Sequence, residues 1–218
     1  QKERTISDAF EQSESGQSLV NMMDLDLIVG SGGVLSHAPR REQSAKMLID
    51  SFLPEGITSL AVDSIFMMPQ LGVMANIEKE EISDQARVAA LEVFEKDCLI
   101  RLGTCIAPVG GIEGKENILS LSLEFENNDK KEINLNHGEL IRIEVGYEEV
   151  KVILSPAKGV DVGSGPGEPI NTKIFGGQVG IIIDGRGRPL QINSESSKRI
   201  SDLKNWSDAI NEYPDLGK

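Results

Sequence analysis

The turn Gly30-Ser31-Gly32-Gly33 is the stretch of this sequence whose residue types most readily suit a ligand. It follows the apolar run Leu25-Asp26-Leu27-Ile28-Val29 and precedes a helical pattern. Glycines at such a junction let a ligand lie directly on the backbone, and free N–H groups at a helix start can receive phosphate or ring nitrogens. The turn is neither a Walker A loop nor a GxGxxG fingerprint, since no Gly-Lys-Ser/Thr follows it. A tight strand–helix turn with no ligand explains the same residues.

Other chemistry-bearing residues are scattered. His37 follows the turn, and helix capping or packing accounts for it better than catalysis. Arg40 and Arg41 suit either a phosphate or a solvated helix start. Asp63 ends a second apolar run, where open parallel sheets bind ligands, yet an N-cap for the next helix is the simpler role. Two glycine-rich loops, Asp161-Val162-Gly163-Ser164-Gly165-Pro166-Gly167 and Asp184-Gly185-Arg186-Gly187-Arg188-Pro189, could form anion nests or plain β-turns. His137 lies far from His37 in sequence, so the two histidines propose no metal site. Cys98 and Cys105 fit no zinc spacing and read as buried free thiols. No Ser/His/Asp or Cys/His set assembles, so neither catalytic nor metal residues are assigned.

The 218 residues suffice for one large domain or two small ones. Aromatics make up only 4%, so the core must be aliphatic. The net charge of −13 opposes binding to nucleic acid and to anionic membranes. Reduced thiols and the lack of a membrane-length apolar stretch point to the cytoplasm. The opening Gln1-Lys2-Glu3-Arg4 carries no signal peptide and reads as a cut within a longer chain.

The elements that must position these residues are legible in outline. Residues 1–22 are polar, with scattered apolar positions such as Phe10, Leu19 and Val20, and Ser13 to Ser18 read as a loop or helix end. Residues 25–77 read as strand, glycine turn, helix (41–52), strand (59–63) and helix, implying a parallel or mixed sheet. A long helix is expected from Ser83, a suitable N-cap, to Leu102, with Val88, Leu91, Phe94, Cys98 and Leu102 along one face. From about residue 113 to 193 the pattern is strand-like, through Leu119, Leu121, Leu123 and Phe125, the turn Asn127-Asn128-Asp129-Lys130, and the runs 140–145 and 150–154. This predicts a separate, nearly all-β barrel or sandwich, with Val179 to Ile183 as its most buried strand. A final amphipathic helix places Ile200, Leu203, Trp206 and Ile210 on one face. The expected division is 1–112 for an α/β unit, 113–197 for a β domain and 198–218 for the C-terminal helix and tail.

One resemblance sharpens this outline. The stretch from Asp26 to Arg40, the segment Leu60 to Gly72, the segment Gly103 to Pro108 and the segment Gly176 to Leu190 resemble the glutamate-mutase accessory family called MutL or GlmL, distinct from the mismatch-repair protein of the same name. That family is similar to the actin/Hsp70/sugar-kinase ATPases, so the resemblance implies part of an actin-like ATPase lobe with an appended β domain. It implies that Gly30, Gly32 and Gly33 approach adenine and ribose, with Ser31 and Ser36 hydrogen-bonding nearby. It implies ATP or ADP as ligand of the full-length protein, with Mg2+ accompanying the phosphates, and none bound tightly by this stretch alone. The implied role is an ATP-dependent accessory chaperone that reactivates an adenosylcobalamin-dependent mutase, whose subunits would be its partners. The alternative is a non-catalytic module that docks the mutase, with vestigial nucleotide binding. The superfamily's Asp-x-Gly-x-Thr phosphate loop is not found upstream of Gly30, and Asp161-Val162-Gly163-Ser164 imitates it poorly.

Overall fold

The computed structural model describes residues 20–77 and 83–213. The readings placed on Gln1 to Leu19, including Phe10 and Ser13 to Ser18, lie outside the described residues. Strand β1 (Leu27–Gly30) leads into a one-turn helix α1 (Gly33–Ser36) and then α2 (Arg41–Phe52). Strand β2 (Gly56–Asp63) follows, then α3 (Met68–Asn76) and α4 (Asp84–Val93). After a π-helical segment (Phe94–Cys98) come β3 (Leu99–Ala107), β4 (Leu119–Glu124), β5 (Lys130–Leu135), β6 (Leu140–Ile143), β7 (Glu149–Pro156), β8 (Ile170–Phe175) and β9 (Gly180–Asp184). Helix α5 (Ser196–Ala209) closes the described chain.

The strand–turn–helix–strand–helix order expected over 25–77 is present. Helix α2 starts and ends where the pattern predicted, with the Gln43 side chain accepting from the Arg40 N–H at its first turn. Strands β1 and β2 are parallel, with Gly30 opposite Val62. The strands form a five-stranded sheet in the order β1-β2-β3-β9-β6 and a four-stranded sheet in the order β5-β4-β7-β8.

Several sequence expectations are corrected. The helix expected from Ser83 to Leu102 stops at Cys98, and Leu99–Ala107 is a strand. It pairs with β2 on one side and β9 on the other, so it lies within the sheet. Gly103 sits in it at φ +144, and a Cβ there would run into the backbone carbonyl oxygen of Gly180, so only glycine lets β3 and β9 close at that point. The supposed apolar face of the long helix is open: Val88 and Leu91 are exposed, and Ala90 is the residue α4 buries.

The β region is not a separate unit either. β6 and β9 belong to the five-stranded sheet, while β4, β5, β7 and β8 form the other. Among the described residues no closed barrel forms. Strand β8 adds to the runs the pattern singled out, with Ile170, Thr172 and Ile174 alternating with Asn171 and Lys173. Leu190 to Ile192 form no strand. The run 179–183 is fully buried as expected, but because β9 lies between β3 and β6 and is covered on both faces.

Two apolar cores follow. One lies between the sheets and joins Ile106, Ile143, Ile181 and Ile183 to Leu121, Leu123, Val152 and Leu154. The other lies on the opposite face of the five-stranded sheet, where Leu48 and Ile49 of α2 and Trp206 of α5 meet Leu60, Val62, Leu102 and Ile182. Helix α5 buries only half its apolar face. Trp206 and Ile210 are inside, whereas Ile200 and Leu203 are exposed. No described helix is long and apolar enough to cross a membrane.

Candidate functional site

The glycine turn leaves the C-terminal end of β1. A Cβ on Gly30 would lie 2.7 Å from Leu35 Cδ1 and 2.9 Å from Leu48 Cδ2, so this glycine lets α1 and α2 pack down on the strand. Gly32 has φ 98 and ψ 160, a conformation that side-chain-bearing residues rarely reach, and no atom lies within 4 Å of where its Cβ would be. Its carbonyl accepts from the N–H groups of Leu35 and Ser36 and starts α1.

Both serines of the turn region are tied to Asp63. The buried Ser36 hydroxyl donates to the Asp63 carbonyl oxygen, and the Ser31 hydroxyl donates to Asp63 Oδ2 at 3.3 Å. The Asp63 carboxylate is itself fully buried and accepts from the Met67 N–H (3.1 Å) and the Met68 N–H (2.8 Å). It is not the N-cap of α3, a position that Met67 takes, but it holds the chain at the start of that helix while also fastening the glycine turn to the end of β2. Sequence reading missed this double duty, because parallel pairing of β1 with β2 is what brings the two ends together.

Beside the turn lies an open cleft of about 370 Å³. Ser31, Gly32, Gly33 and Leu35 form one wall, and Met47 and Phe52 of α2 form the other. Gly30 and Ser36 do not line it; they lie beneath, shaping and tethering the turn. A mostly apolar slot with an unobstructed glycine backbone and a hydroxyl at its edge can hold a flat heterocycle. The nearby cations are engaged elsewhere. Arg40 pairs with Glu42 at 3.0 Å, and Arg41 donates to the Ser36 carbonyl at 2.9 Å. His37 is exposed at the end of α1.

The two glycine-rich loops turn inward. Asp161 Oδ1 accepts from the N–H groups of Gly163 and Gly165, so the chain's own carboxylate fills the nest that could have held an anion. In the second loop, Asp184 is fully buried and receives both Nε and Nη2 of Arg186. Arg188 adds a third contact at 2.9 Å. Arg186 Nη1 reaches Asp50 Oδ1 of α2 at 2.8 Å, and its guanidinium lies 5.2 Å over the Trp206 ring. Burial alone would raise the Asp184 carboxyl, but the hydrogen bonds and charge of Arg186, then Arg188, outweigh it and hold the group below the usual carboxylate value. At Arg186 burial alone would lower the guanidinium, but the hydrogen bonds and charge of Asp184, then Asp50, outweigh it and raise the group further. Neighbouring Cys105 is pushed up to about 12, chiefly by burial and then by the Asp184 charge. This loop is a buried ionic knot joining β9, α2 and α5. Arg142, which the sequence did not single out, makes a similar tie by donating to the carbonyls of Val179 and Ile210.

Among the described residues no group of three or more His, Cys, Asp or Glu is placed to hold a metal ion. Cys98 and Cys105 are buried free thiols, as expected. No curated protein and no solved structure matches the chain. Residues 4–96, which include β1, the glycine turn, the Asp63 carboxylate and the α3–α4 pair, match the family model described as MutL protein. Over residues 4–96 the chain is thus similar to the MutL family of glutamate-mutase accessory proteins, not to the mismatch-repair MutL.

Proposed function

We propose that this chain is part of an ATP-dependent accessory protein that reactivates an adenosylcobalamin-dependent mutase, and that the Gly30–Gly33 turn receives the adenosine end of the nucleotide. The observation that carries the reading is the slot between the turn and α2, open at Gly32 and walled by Leu35, Met47 and Phe52. Its apolar walls suit a purine, and the Gly32 and Gly33 backbone can approach a ribose closely. Ser31 offers a hydroxyl at the edge, while Gly30 and Ser36 keep the turn in place. ATP, with Mg2+ accompanying its phosphates, would supply the free energy for conformational work on the mutase. The protein's own task at this site is to bind and orient the adenosine and to pass its presence to α3 through Asp63. Both the protein and its mutase partner would act in the cytoplasm, with no nucleic acid or membrane involved.

Calorimetric titration of adenosine, ADP and ATP into the chain and into Gly32→Val tests the reading. Binding by the parent that is lost in a folded variant supports it. No binding of adenosine at about millimolar concentration overturns it.

A second reading, a docking module with vestigial nucleotide binding, is favoured by the exposed apolar residues around α3 and α4. Phe66, Val73, Val88 and Leu91 are each more than half exposed. Mutase subunits captured equally well with and without nucleotide would favour this second reading.

A further inference from the structure

The five-stranded sheet ends on β6, which pairs with β9 and with no other described strand. In an antiparallel pair every second residue of an edge strand turns its N–H and C=O away from its neighbour. Beside this edge lies a cleft of about 470 Å³. Its lining includes both Leu140, which packs in the core under the helices, and Ile141, which packs toward the core between the sheets. Gly138 and Glu139, which lead into β6, line it as well, so the cleft opens beside the first half of the strand. Asn134 from β5 forms one wall, and Asp202 and Asn205 from α5 form the other. At Gly138 and Trp206 the cleft meets a larger one of about 900 Å³, which both residues also line.

The two edges of the four-stranded sheet lack these features. β5 carries Lys130 and Lys131, and β8 carries Lys173, charges that discourage strand addition. No cation lines the β6 slot; its charged side chains are the carboxylates of Glu139 and Asp202. The one arginine of β6, Arg142, is turned inward to the carbonyls of Val179 and Ile210.

We infer that the edge of β6 is a binding groove for an extended, lysine- or arginine-bearing peptide segment of a partner protein, which adds as a short strand beside Glu139, Leu140 and Ile141. Main-chain hydrogen bonds would supply affinity and the two carboxylates would select basic side chains. A second copy of the chain is the weaker occupant, because each copy carries a net charge of −13. The inference does not depend on nucleotide binding at the glycine turn.

The test uses the 218-residue chain and three synthetic peptides. The first alternates lysine with threonine, the second alternates glutamate with threonine, and the third is the lysine peptide with alternate backbone nitrogens methylated. Trp206, the single tryptophan, borders the groove and reports occupancy by fluorescence, and amide exchange maps the site. The expected result is that the lysine peptide binds, changes Trp206 emission and slows exchange in residues 139–141. The glutamate and methylated peptides should bind at least about tenfold more weakly. Asp202→Lys, at a surface position of α5, should weaken the lysine peptide by a similar factor while leaving circular dichroism unchanged. Equal binding of the methylated peptide, protection confined to other residues, no binding at about millimolar peptide, or self-association of the chain through residues 139–141 would each overturn the proposal.

Discussion

The hydroxyl of Ser31 donates to Oδ2 of Asp63 across the ends of two parallel strands. The same carboxylate holds the first N–H groups of α3. A change at the glycine turn therefore reaches α3 through one side chain. Asp63→Ala leaves two N–H groups and a hydroxyl without their charged acceptor and should destabilise the protein by about 3 kcal/mol. Ser31→Ala should cost only about 1 kcal/mol. Urea denaturation compares the two, and equal costs would show that the contacts to α3 carry no load.

Gly30 and Gly32 should separate stability from binding. A methyl group at Gly30 meets Leu35 and Leu48, so Gly30→Ala should cost about 1–3 kcal/mol of stability by overpacking. At Gly32 the space is open and the penalty is backbone strain of about 1–3 kcal/mol for any side chain. Gly32→Val should therefore abolish adenosine binding through local rearrangement of the turn. Thermal melts paired with calorimetry on both variants check the difference.

Adenosine, ADP and ATP should bind this chain within about tenfold of one another, because the turn can reach only the adenosine end. Competition titrations measure this directly. A clear preference for ATP would place a phosphate site elsewhere in the chain, and the Asp161–Gly167 loop would have to release its own carboxylate to provide it.

Asp184→Asn removes the shared charge of the ionic knot and leaves Arg186 and Arg188 without it. Breaking a buried pair from one side should cost about 3–5 kcal/mol. The Asp184 carboxyl is held below its ordinary value of 3.8 in the folded protein, so the unfolded chain takes up the proton first as pH falls. Its contribution is thus fully present above 3.8 and disappears as the solution is acidified below that value. Melting temperature against pH should show an acid limb in the parent that is shallower in Asp184→Asn.

Cys105 should resist thiol reagents in the folded protein at neutral and mildly alkaline pH, since burial pushes its thiol up to about 12 and closes access to it. Ellman's reagent applied before and after denaturation should report Cys105 only in the second case.

Local pattern determined a good deal of this protein. The apolar run into Gly30, the periodicity of α2, the Ser83 cap and the Asn127–Lys130 hairpin turn are each written within a few neighbouring residues. The glycine turn was legible in the same way, although a tight strand–helix turn with no ligand explains its residues equally well. What only the tertiary structure decided was membership. Cys98 and Leu102 stand at helical spacing, yet Leu99–Ala107 is a strand, because β2 and β9 offer partners on both sides and Gly103 lets them close. The run in β9 reads as buried in any sheet. Its place between β3 and β6 depends on strands far away in sequence, and so does the ionic knot that Arg186 builds with Asp184, Asp50 and Trp206. Helix and turn formation is a matter of neighbours along the chain. Strand pairing and charge burial are matters of neighbours in space, which no short window of sequence contains.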